Sequence, residues 1–387
     1  MSKLTFVDGN DVRLLRSGKE FFPELLGAIH AAQQEIYLET YIFTADPTAN
    51  QVRDALKAAA CRGVTVRVVI DWLGSGRAAA ETLVTDLCAA GVAARCFNPW
   101  FRRGLARTHR KILVADRAVA LLGGLNIIDD LVSDDGWNLP LPYPRWDFAV
   151  SLRGPLVRVV FHEVDAQWRR TGKLNLRARF ALMRDLHHEA KVARTRLSPA
   201  ALLVRDNLRN RSTIQKAYLQ ALGQAKRRAI LVTPYFAPGR KFRRALTAAA
   251  SRGVQVTLVV GVGQFALQDA VAQSYYPSLL RQGVRIIEYH KTQLHAKVAI
   301  VDDDWATVGS SNFDALSLFL NHEANIVIQD AEFTAELETE LKQGIADGSE
   351  VQEADFSSLP WTRKLWNGFA FLVYRNLMRI MTSGHYG

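Results

Sequence analysis

The sequence of 387 residues predicts an α/β fold built from two similar halves. A run from His295 to Asn312 repeats the spacing of a run from His109 to Asn126. In each run the His is followed by Lys at the second position, Asp at the seventh, Gly at the fourteenth and Asn at the seventeenth. Strands alternate with helices ahead of both runs, which predicts two α/β domains with mainly parallel sheets. Such an internal repeat indicates one structural unit for each half.

Each half is expected to pass through helices and strands in the same order before its copy of the motif. A shared local pattern supports this alignment, since Cys-Arg-Gly-Val at 61–64 matches Ser-Arg-Gly-Val at 251–254. Apolar, β-branched runs predict the strands. In the first half the expected helices are 19–34, 48–61 and 77–90, and the strands are 35–43, 64–71 and 92–97. In the second half the helices are 213–227, 240–251 and 266–282, and the strands are 229–236, 254–262 and 284–289.

The repeated motif is predicted to be a hairpin with its polar groups at one end. Strand alternation places the His and the Lys on the same face. The Asp lies in the turn, and the returning strand ends at the Gly and the Asn, beside the His. Each copy therefore presents an imidazole, an ammonium and an amide at one edge, which is half of a phosphate site. The candidate residues are His109, Lys111, Asp116, Gly123 and Asn126 in the first copy, and His295, Lys297, Asp302, Gly309, Ser310 and Asn312 in the second.

The composition indicates a globular protein with a polyanionic partner. A chain that is 49% hydrophobic and 22% charged is not disordered. The formal net charge of +11 suits nucleic acid or an anionic membrane surface, and charge alone does not choose between them. No run reaches the ~18 apolar residues of a spanning helix, and the first residues contain no apolar signal-peptide core. Three cysteines without a CxxC pattern are expected to be reduced thiols in a cytoplasmic compartment.

Two basic segments outside the repeat each admit two interpretations. The connector 168–196 is expected to be a solvated linker or an amphipathic segment that binds headgroups. The tail 359–384 mixes aromatic with basic residues, and its apolar centre at 369–373 is too short to span a bilayer. It is expected to be a helix in the membrane interface or a C-terminal helix packed on the second half.

The pattern His-x-Lys-x(4)-Asp-x(6)-Gly-x-x-Asn, present twice, resembles the signature of the phospholipase D superfamily. Within it the chain is most similar to bacterial cardiolipin synthases that lack N-terminal transmembrane helices. Leu-Glu-Thr-Tyr-Ile-Phe at 38–43 and Thr-Pro-Tyr-Phe-Ala-Pro at 233–238 share in the similarity. The resemblance implies two phospholipase D-like α/β/α repeats related by a pseudo-twofold axis, with the active site at their interface. The expected domains are 1–200 including the connector, 201–350, and a basic aromatic membrane-interface segment at 351–387.

The predicted site suits transfer of a phosphodiester. The Lys and Asn side chains supply positive charge and donors to the phosphate oxygens, while one imidazole attacks phosphorus and the other protonates the leaving alkoxide. Two imidazoles at one site repel each other as cations, which drives their protonation states apart. The residues alone leave the two roles open, and the resemblance implies His109 as the nucleophile and His295 as the acid and base. Asp116 and Asp302 fit a structural ion pair better than direct attack, and neither metal nor cofactor is expected.

Further residues are assigned supporting roles. Asp147 and Glu323 begin equivalent strands after the two motifs. The resemblance implies that an acid at this position hydrogen-bonds the motif His and orients its ring. The alternative is a surface acid at the start of a strand. Tyr41 and Tyr235 are equivalent in the repeat and are expected to line a substrate channel or to be buried sheet-end tyrosines. A second anionic headgroup is expected to dock at the arginines before the first motif, which are Arg102, Arg103 and Arg107.

The resemblance implies transfer of a phosphatidyl group from one phosphatidylglycerol to another, with release of glycerol, by a peripheral protein on the cytoplasmic face of the bacterial cell membrane. Phosphatidylglycerol and the anionic membrane surface are the expected partners. A phospholipase D that uses water as the acceptor stays an alternative, because its donor chemistry is identical. A nuclease is permitted by the charge, but nucleic acid is not the expected partner, since small nucleases of the superfamily carry one motif and dimerise. The sequence does not determine the oligomeric state.

Overall fold

The computed structural model describes residues 5–172, 198–206, 210–314, 317–318, 320–357 and 360–381. The chain divides into two compact units, and each is made of two segments. The first contains Met1–Asp130 and Ala149–Leu202, and the second contains Leu131–Phe148 and Leu203–Gly387. The segment 131–148 therefore groups with the second unit, although the sequence-based division assigned it to the first. The expected separate segment 351–387 also groups with the second unit.

The first unit has a sheet with helices on both faces. Ile36 and Leu38 point into the core formed with the first two helices, whereas Tyr37 points the opposite way and contacts Phe161 edge-on at 5.5 Å between ring centroids, as strand alternation requires. The sheet order in the described part is β9-β1-β8-β7-β6-β2-β3-β4. The strands are β1 (Val7–Arg16), β2 (Glu35–Thr40), β3 (Thr65–Asp71), β4 (Ala93–Phe97), β5 (Arg102–Leu105), β6 (Ile112–Ala115), β7 (Val119–Gly123), β8 (Phe148–Arg153) and β9 (Ser198–Arg205). The helices are α1 (Ser17–Ala31), α2 (Pro47–Cys61), α3 (Arg77–Ala89) and α4 (Leu156–Thr171).

The second unit repeats this plan. Its described sheet has the order β18-β13-β12-β10-β14-β15-β17. The strands are β10 (Arg228–Thr233), β11 (Phe236–Ala237), β12 (Gln255–Gly261), β13 (Arg285–Tyr289), β14 (Val298–Val301), β15 (Trp305–Gly309), β16 (Phe313–Asp314), β17 (Glu323–Gln329) and β18 (Ser349–Glu350). The helices are α5 (Thr213–Gln224), α6 (Arg240–Ser251), α7 (Ala266–Leu280), α8 (Ala331–Ala346), α9 (Glu353–Ser357) and α10 (Trp361–Met381).

Both sheets are mixed, so the prediction of mainly parallel sheets is wrong. Strands β2, β3 and β4 pair in parallel, as do β10, β12 and β13. The motif hairpin β6–β7, however, pairs antiparallel with β2 on one side and β8 on the other. Its counterpart β14–β15 lies in the same way between β10 and β17. The reason is that a hairpin reverses the chain, whereas parallel pairing requires a crossover after each strand.

The expected helices and strands form, with local shifts at their ends. Helix α6 has the predicted bounds of 240–251. Helix α2 begins at Pro47, where Asp46 accepts the Ala49 N–H at 2.8 Å, a favourable N-cap followed by a proline that needs no donor. The strand predicted at 229–236 ends at Thr233, because Pro234 has no N–H for the sheet ladder. Boundaries of this kind are set by single residues.

The remaining predictions concern the basic connector, the cysteines and membrane-spanning helices. Most of the basic connector lies in 173–197, outside the described residues. The three cysteines Cys61, Cys88 and Cys96 are unpaired. Within the described ranges, no helix combines the length and the hydrophobicity needed to cross a bilayer.

Candidate active site

The first half-site lies where β6 begins. His109 and Lys111 are both buried, and the Lys111 Nζ donates to the His109 carbonyl at 2.7 Å. Tyr41, directly after β2, contacts the His109 ring at 4.8 Å between centroids, and Lys111 Nζ lies 5.2 Å from the centre of the same tyrosine ring. The Asn126 Oδ1 accepts the Ile42 N–H at 3.3 Å, which orients the amide. The imidazole, ammonium, amide and tyrosine are therefore brought together in this unit.

The motif aspartates hold the turns of their hairpins. Asp116 accepts three backbone N–H groups at the start of β2, at 2.7, 2.8 and 2.9 Å. Asp302 accepts three at the start of β10, at 3.0, 2.8 and 3.1 Å. Although burial opposes it, these donors hold the pKa of both carboxyls below the usual range. The partners of these carboxylates are thus backbone donors, where the sequence suggested an ion pair.

The second half-site lies at the start of β14 and repeats the first. His295 is 5% exposed and Lys297 is completely buried. The Lys297 Nζ donates to the His295 carbonyl, as Lys111 does to His109. Burial lowers the pKa of Lys297 to about 8, although the carboxylates of Asp147, Asp134 and Glu323 oppose the shift. This ammonium therefore loses its charge at a lower pH than an exposed lysine does.

A carboxylate orients the second histidine. The His295 Nδ1 lies 2.6 Å from the Asp147 Oδ2, and both residues are buried. Trp146 fixes this approach, because its N–H donates to the Gln293 carbonyl and its carbonyl accepts the His295 N–H, each at 2.9 Å. Asp147 follows the first motif in sequence but bonds the histidine of the second. The repeat indicated an acid at this position without indicating which histidine it serves.

A further carboxylate, which the sequence analysis did not single out, faces the other nitrogen of the ring. Asp134 Oδ2 lies 3.4 Å from His295 Nε2, and the Asp134 side chain is 5% exposed. The Gln293 Nε2 donates to the Asp134 Oδ1 at 2.7 Å, and the Arg145 Nε donates to the Gln293 Oε1 at 3.0 Å. Strand alternation could have indicated Gln293, which stands two residues before His295 as Lys297 stands two after. Asp134 belongs to no repeated pattern.

The returning strand of the second motif is built around a close approach. A Cβ on Gly309 would meet the Asn325 side chain at 2.3 Å, so only glycine fits there. The next residue, Ser310, donates its hydroxyl to the Glu323 Oε2 at 2.5 Å. Asn312 follows and hydrogen-bonds Asp314, whose pKa is raised to about 6 by burial. Ser310, Asn312 and Glu323 therefore share the buried end of this hairpin with Lys297.

Comparison with known proteins identifies the family. The model of the family described as "Cardiolipin synthase, PLD-like domain" matches residues 25–135 and 218–345. Cardiolipin synthase B of Escherichia coli (strain K12) is 39% identical over 376 residues, which cover 94% of this chain and 87% of that protein. The chain belongs to the cardiolipin synthase family of PLD-like proteins. A cardiolipin synthase of Alkalihalophilus pseudofirmus (strain ATCC BAA-2126 / JCM 17055 / OF4) is 28% identical and covers 92% of this chain and 70% of its own length.

The fold of this family member is also found in a solved structure. The crystal structure of phosphatidylserine synthase from Haemophilus influenzae Rd KW20 superposes with a TM-score of 0.72 at 17% identity, covering 98% of this chain and 97% of that one. The family model matches one segment in each half of the chain. The predicted fold of two phospholipase D-like repeats is confirmed. The pseudo-twofold axis and an active site shared by the repeats stay predictions.

The residues predicted to form a substrate channel have different surroundings. Tyr41 contacts His109, as described above. Tyr235 is the equivalent of Tyr41 in the second half of the chain. It donates its hydroxyl to the Gln264 Oε1 at 3.3 Å. The Arg107 guanidinium is buried and lies 3.4 Å from Asp71 and 5.1 Å from the centre of the Phe101 ring. The side chain of Arg103 lies outside the described part, and a headgroup site at these arginines stays a prediction.

The two half-sites offer the same chemical groups. Each has a buried imidazole, an ammonium held on the carbonyl of the histidine, and an amide at the end of the hairpin. These groups suit nucleophilic attack, proton transfer and binding of phosphate oxygens. Among the described residues, no group of three or more His, Cys, Asp or Glu is arranged to hold a metal ion.

Proposed function

We propose that this protein is a cardiolipin synthase that transfers a phosphatidyl group from one phosphatidylglycerol to a hydroxyl of another and releases glycerol. The observation that carries the proposal is that the chain matches cardiolipin synthase B of E. coli over 94% of its length and keeps both histidine half-sites complete. A buried, oriented imidazole in each half supports catalysis over a binding or scaffolding role.

The proposed reaction has two steps that use the two histidines differently. In the first, the His109 imidazole attacks phosphorus, a P–N bond forms, and the bond to the glycerol oxygen breaks as His295 gives that oxygen a proton. In the second, the hydroxyl of another phosphatidylglycerol gives its proton to His295 and attacks phosphorus, and the P–N bond breaks. Lys111 and Lys297 balance the negative charge of the phosphate, and Asn126, Asn312 and Ser310 are proposed to position it.

The products of labelled phosphatidylglycerol test this proposal. In anionic mixed micelles we expect the protein to form cardiolipin and free glycerol, and added glycerol should drive the reaction back towards phosphatidylglycerol because the donor step is reversible. Thin-layer chromatography with mass spectrometry measures both products. Phosphatidic acid as the sole phosphatidyl product would instead identify a hydrolase, with water as the acceptor.

We further propose that α10 attaches the protein peripherally to an anionic membrane surface. One face of the helix packs on α7, with Ala370 and Met378 buried and Phe371 edge-on to Tyr275 at 5.5 Å. The opposite face is exposed and mostly apolar. Its side chains are Trp361, Leu365, Trp366, Phe369, Leu372, Val373, Leu377 and Ile380.

The charge of α10 suits attachment to an anionic membrane surface. Four basic residues and no acidic residue occur in 361–381, so an anionic headgroup layer would be attracted while the apolar stripe enters the interface. The alternative interpretation, a C-terminal helix packed on the second half, is compatible with this attachment, because the helix packs on its own unit through one face and exposes the other. Its attachment to the cytoplasmic face of the cell membrane is part of the same proposal.

Polar substitutions on the exposed face test the attachment. Trp361, Phe369 and Ile380 are 72%, 58% and 79% exposed, so replacing all three by Ser should leave the melting temperature unchanged. Loss of three apolar anchors should weaken binding to phosphatidylglycerol vesicles by roughly 100-fold or more, measured by sedimentation. The control is Leu267→Gln, which replaces an exposed leucine of α7 and should bind as the parent does. Undiminished sedimentation of the triple variant would refute the attachment.

A further inference from the structure

The ring of His295 lies between two carboxylates. Asp147 Oδ2 is 2.6 Å from Nδ1, and Asp134 Oδ2 is 3.4 Å from Nε2. Both carboxylates are almost completely buried, with side chains 1% and 5% exposed. A neutral imidazole carries one N–H and can serve only one of them as a donor, whereas the imidazolium carries two. This arrangement therefore stabilises the doubly protonated ring.

Asp134 is held in place by the protein around it. The Gln293 side chain donates to the Asp134 Oδ1 and accepts the Asp134 N–H at 3.2 Å. Arg145 Nε lies 3.9 Å from the Asp134 Oδ2. A β-bridge between Val132 and Pro140 closes the loop that carries the aspartate. The carboxylate is consequently presented to the ring by several contacts, as a built feature of this unit.

We propose that Asp134 is a positioning residue that keeps the second proton on His295 Nε2, so that this histidine enters the reaction as the general acid. The inference rests on the proposed function, in which one histidine must start protonated and the other neutral. When the bond from phosphorus to the glycerol oxygen breaks, the proton moves from Nε2 to that oxygen. The ring keeps its Nδ1 proton towards Asp147, and Nε2 then accepts the proton of the entering hydroxyl.

Other charged groups near the ring are affected by the same carboxylate. Asp134 supports the charge of Lys297, as do Asp147 and Glu323, while Arg145 opposes it. Removing the Asp134 charge would therefore weaken phosphate binding by Lys297 as well as proton donation by His295. The two effects differ in one respect, since phosphate binding matters for every substrate and proton donation matters only for a leaving group that needs a proton.

The test compares two leaving groups with Asp134→Asn. The glycerol oxygen of phosphatidylglycerol needs a proton to leave, because the free alkoxide is strongly basic, whereas p-nitrophenolate leaves from phosphatidyl-p-nitrophenol without a proton. We expect the variant to release glycerol about 100-fold more slowly and p-nitrophenol less than about threefold more slowly than the parent. Retained release of p-nitrophenol also shows that the variant is folded and can form the intermediate.

The neighbouring Asp135→Asn is the matched control. Asp135 accepts the Ser133 hydroxyl and the Trp137 N–H within the same loop, at 2.7 and 2.9 Å. Asp135→Asn should slow the release of the two leaving groups equally, if it slows either. Equal loss for both substrates in Asp134→Asn, or no loss for either, would overturn the role of Asp134. Both rates measure loss of the leaving group, so they are independent of whether the parent makes cardiolipin or phosphatidic acid, which decides the proposed function.

Discussion

His295→Ala should trap a phosphatidyl group on His109, and His109→Ala should trap none. With phosphatidyl-p-nitrophenol the first step needs no proton donor, so His109 can still attack phosphorus in His295→Ala. The second step then lacks its base, and the covalent intermediate accumulates. Turnover of phosphatidylglycerol should fall by about 10³-fold or more in either variant, because each removes a group used in both steps.

The stability of the trapped, labelled phosphatidyl group in acid and in base shows whether it is bound to a histidine. A phosphoramidate on histidine is lost in acid and survives base, whereas a phosphate ester on serine or tyrosine does not show this combination. The double variant without both imidazoles serves as the blank. Label on His109→Ala and none on His295→Ala would reverse the two roles, and no label on either would argue against a covalent route.

Lys297→Met should abolish most of the activity and remove one cause of the rise in stability with pH above about 8. Loss of a buried ammonium at the phosphate should cost roughly 10²–10³-fold in turnover. In the parent, turnover should decline as the pH rises through about 8, because that is where burial places the pKa of Lys297.

The sign of the effect on stability follows from the same group. Between pH 8 and its ordinary pKa of 10.5 the unfolded chain holds the Lys297 proton and the folded chain does not. The free energy of unfolding should therefore rise with pH across this window, by about 3 kcal/mol in total from this residue. Urea titrations of the parent and of Lys297→Met should diverge over this range. The control Lys226→Met, at an exposed position, should run parallel to the parent, and parallel curves for Lys297→Met would contradict the expectation.

The sequence was sufficient for the features that repeat within it. The motif spacing predicted the hairpins and their buried His and Lys, because strand alternation and turn residues are local properties. The orientation of the sheet strands was wrong, since it depends on where the hairpin inserts beside β2 and β10. The partners of Asp116 are backbone N–H groups more than 80 residues away in sequence, and no local pattern records such a contact.

The site residues that the sequence missed are those without a repeated equivalent. Asp134 lies in a loop whose sequence is typical of a turn. It comes close to His295 only through tertiary packing. Asp147 was noticed because it aligns with Glu323, but its partner lies in the other copy of the motif. Repetition shows which residue types recur, whereas the pairing between them is decided by the folded chain.

The position of residues 131–148 has a consequence for how the gene can be divided. His295 depends on Asp147, which lies 148 residues upstream, and a cut near residue 200 would leave the downstream fragment without either acid of its histidine. During synthesis, the later half can complete the surroundings of His295 only by using chain that emerged from the ribosome much earlier. The spacing of the motif is thus repeated in each half, while the surroundings of the second histidine are completed by chain that precedes residue 200.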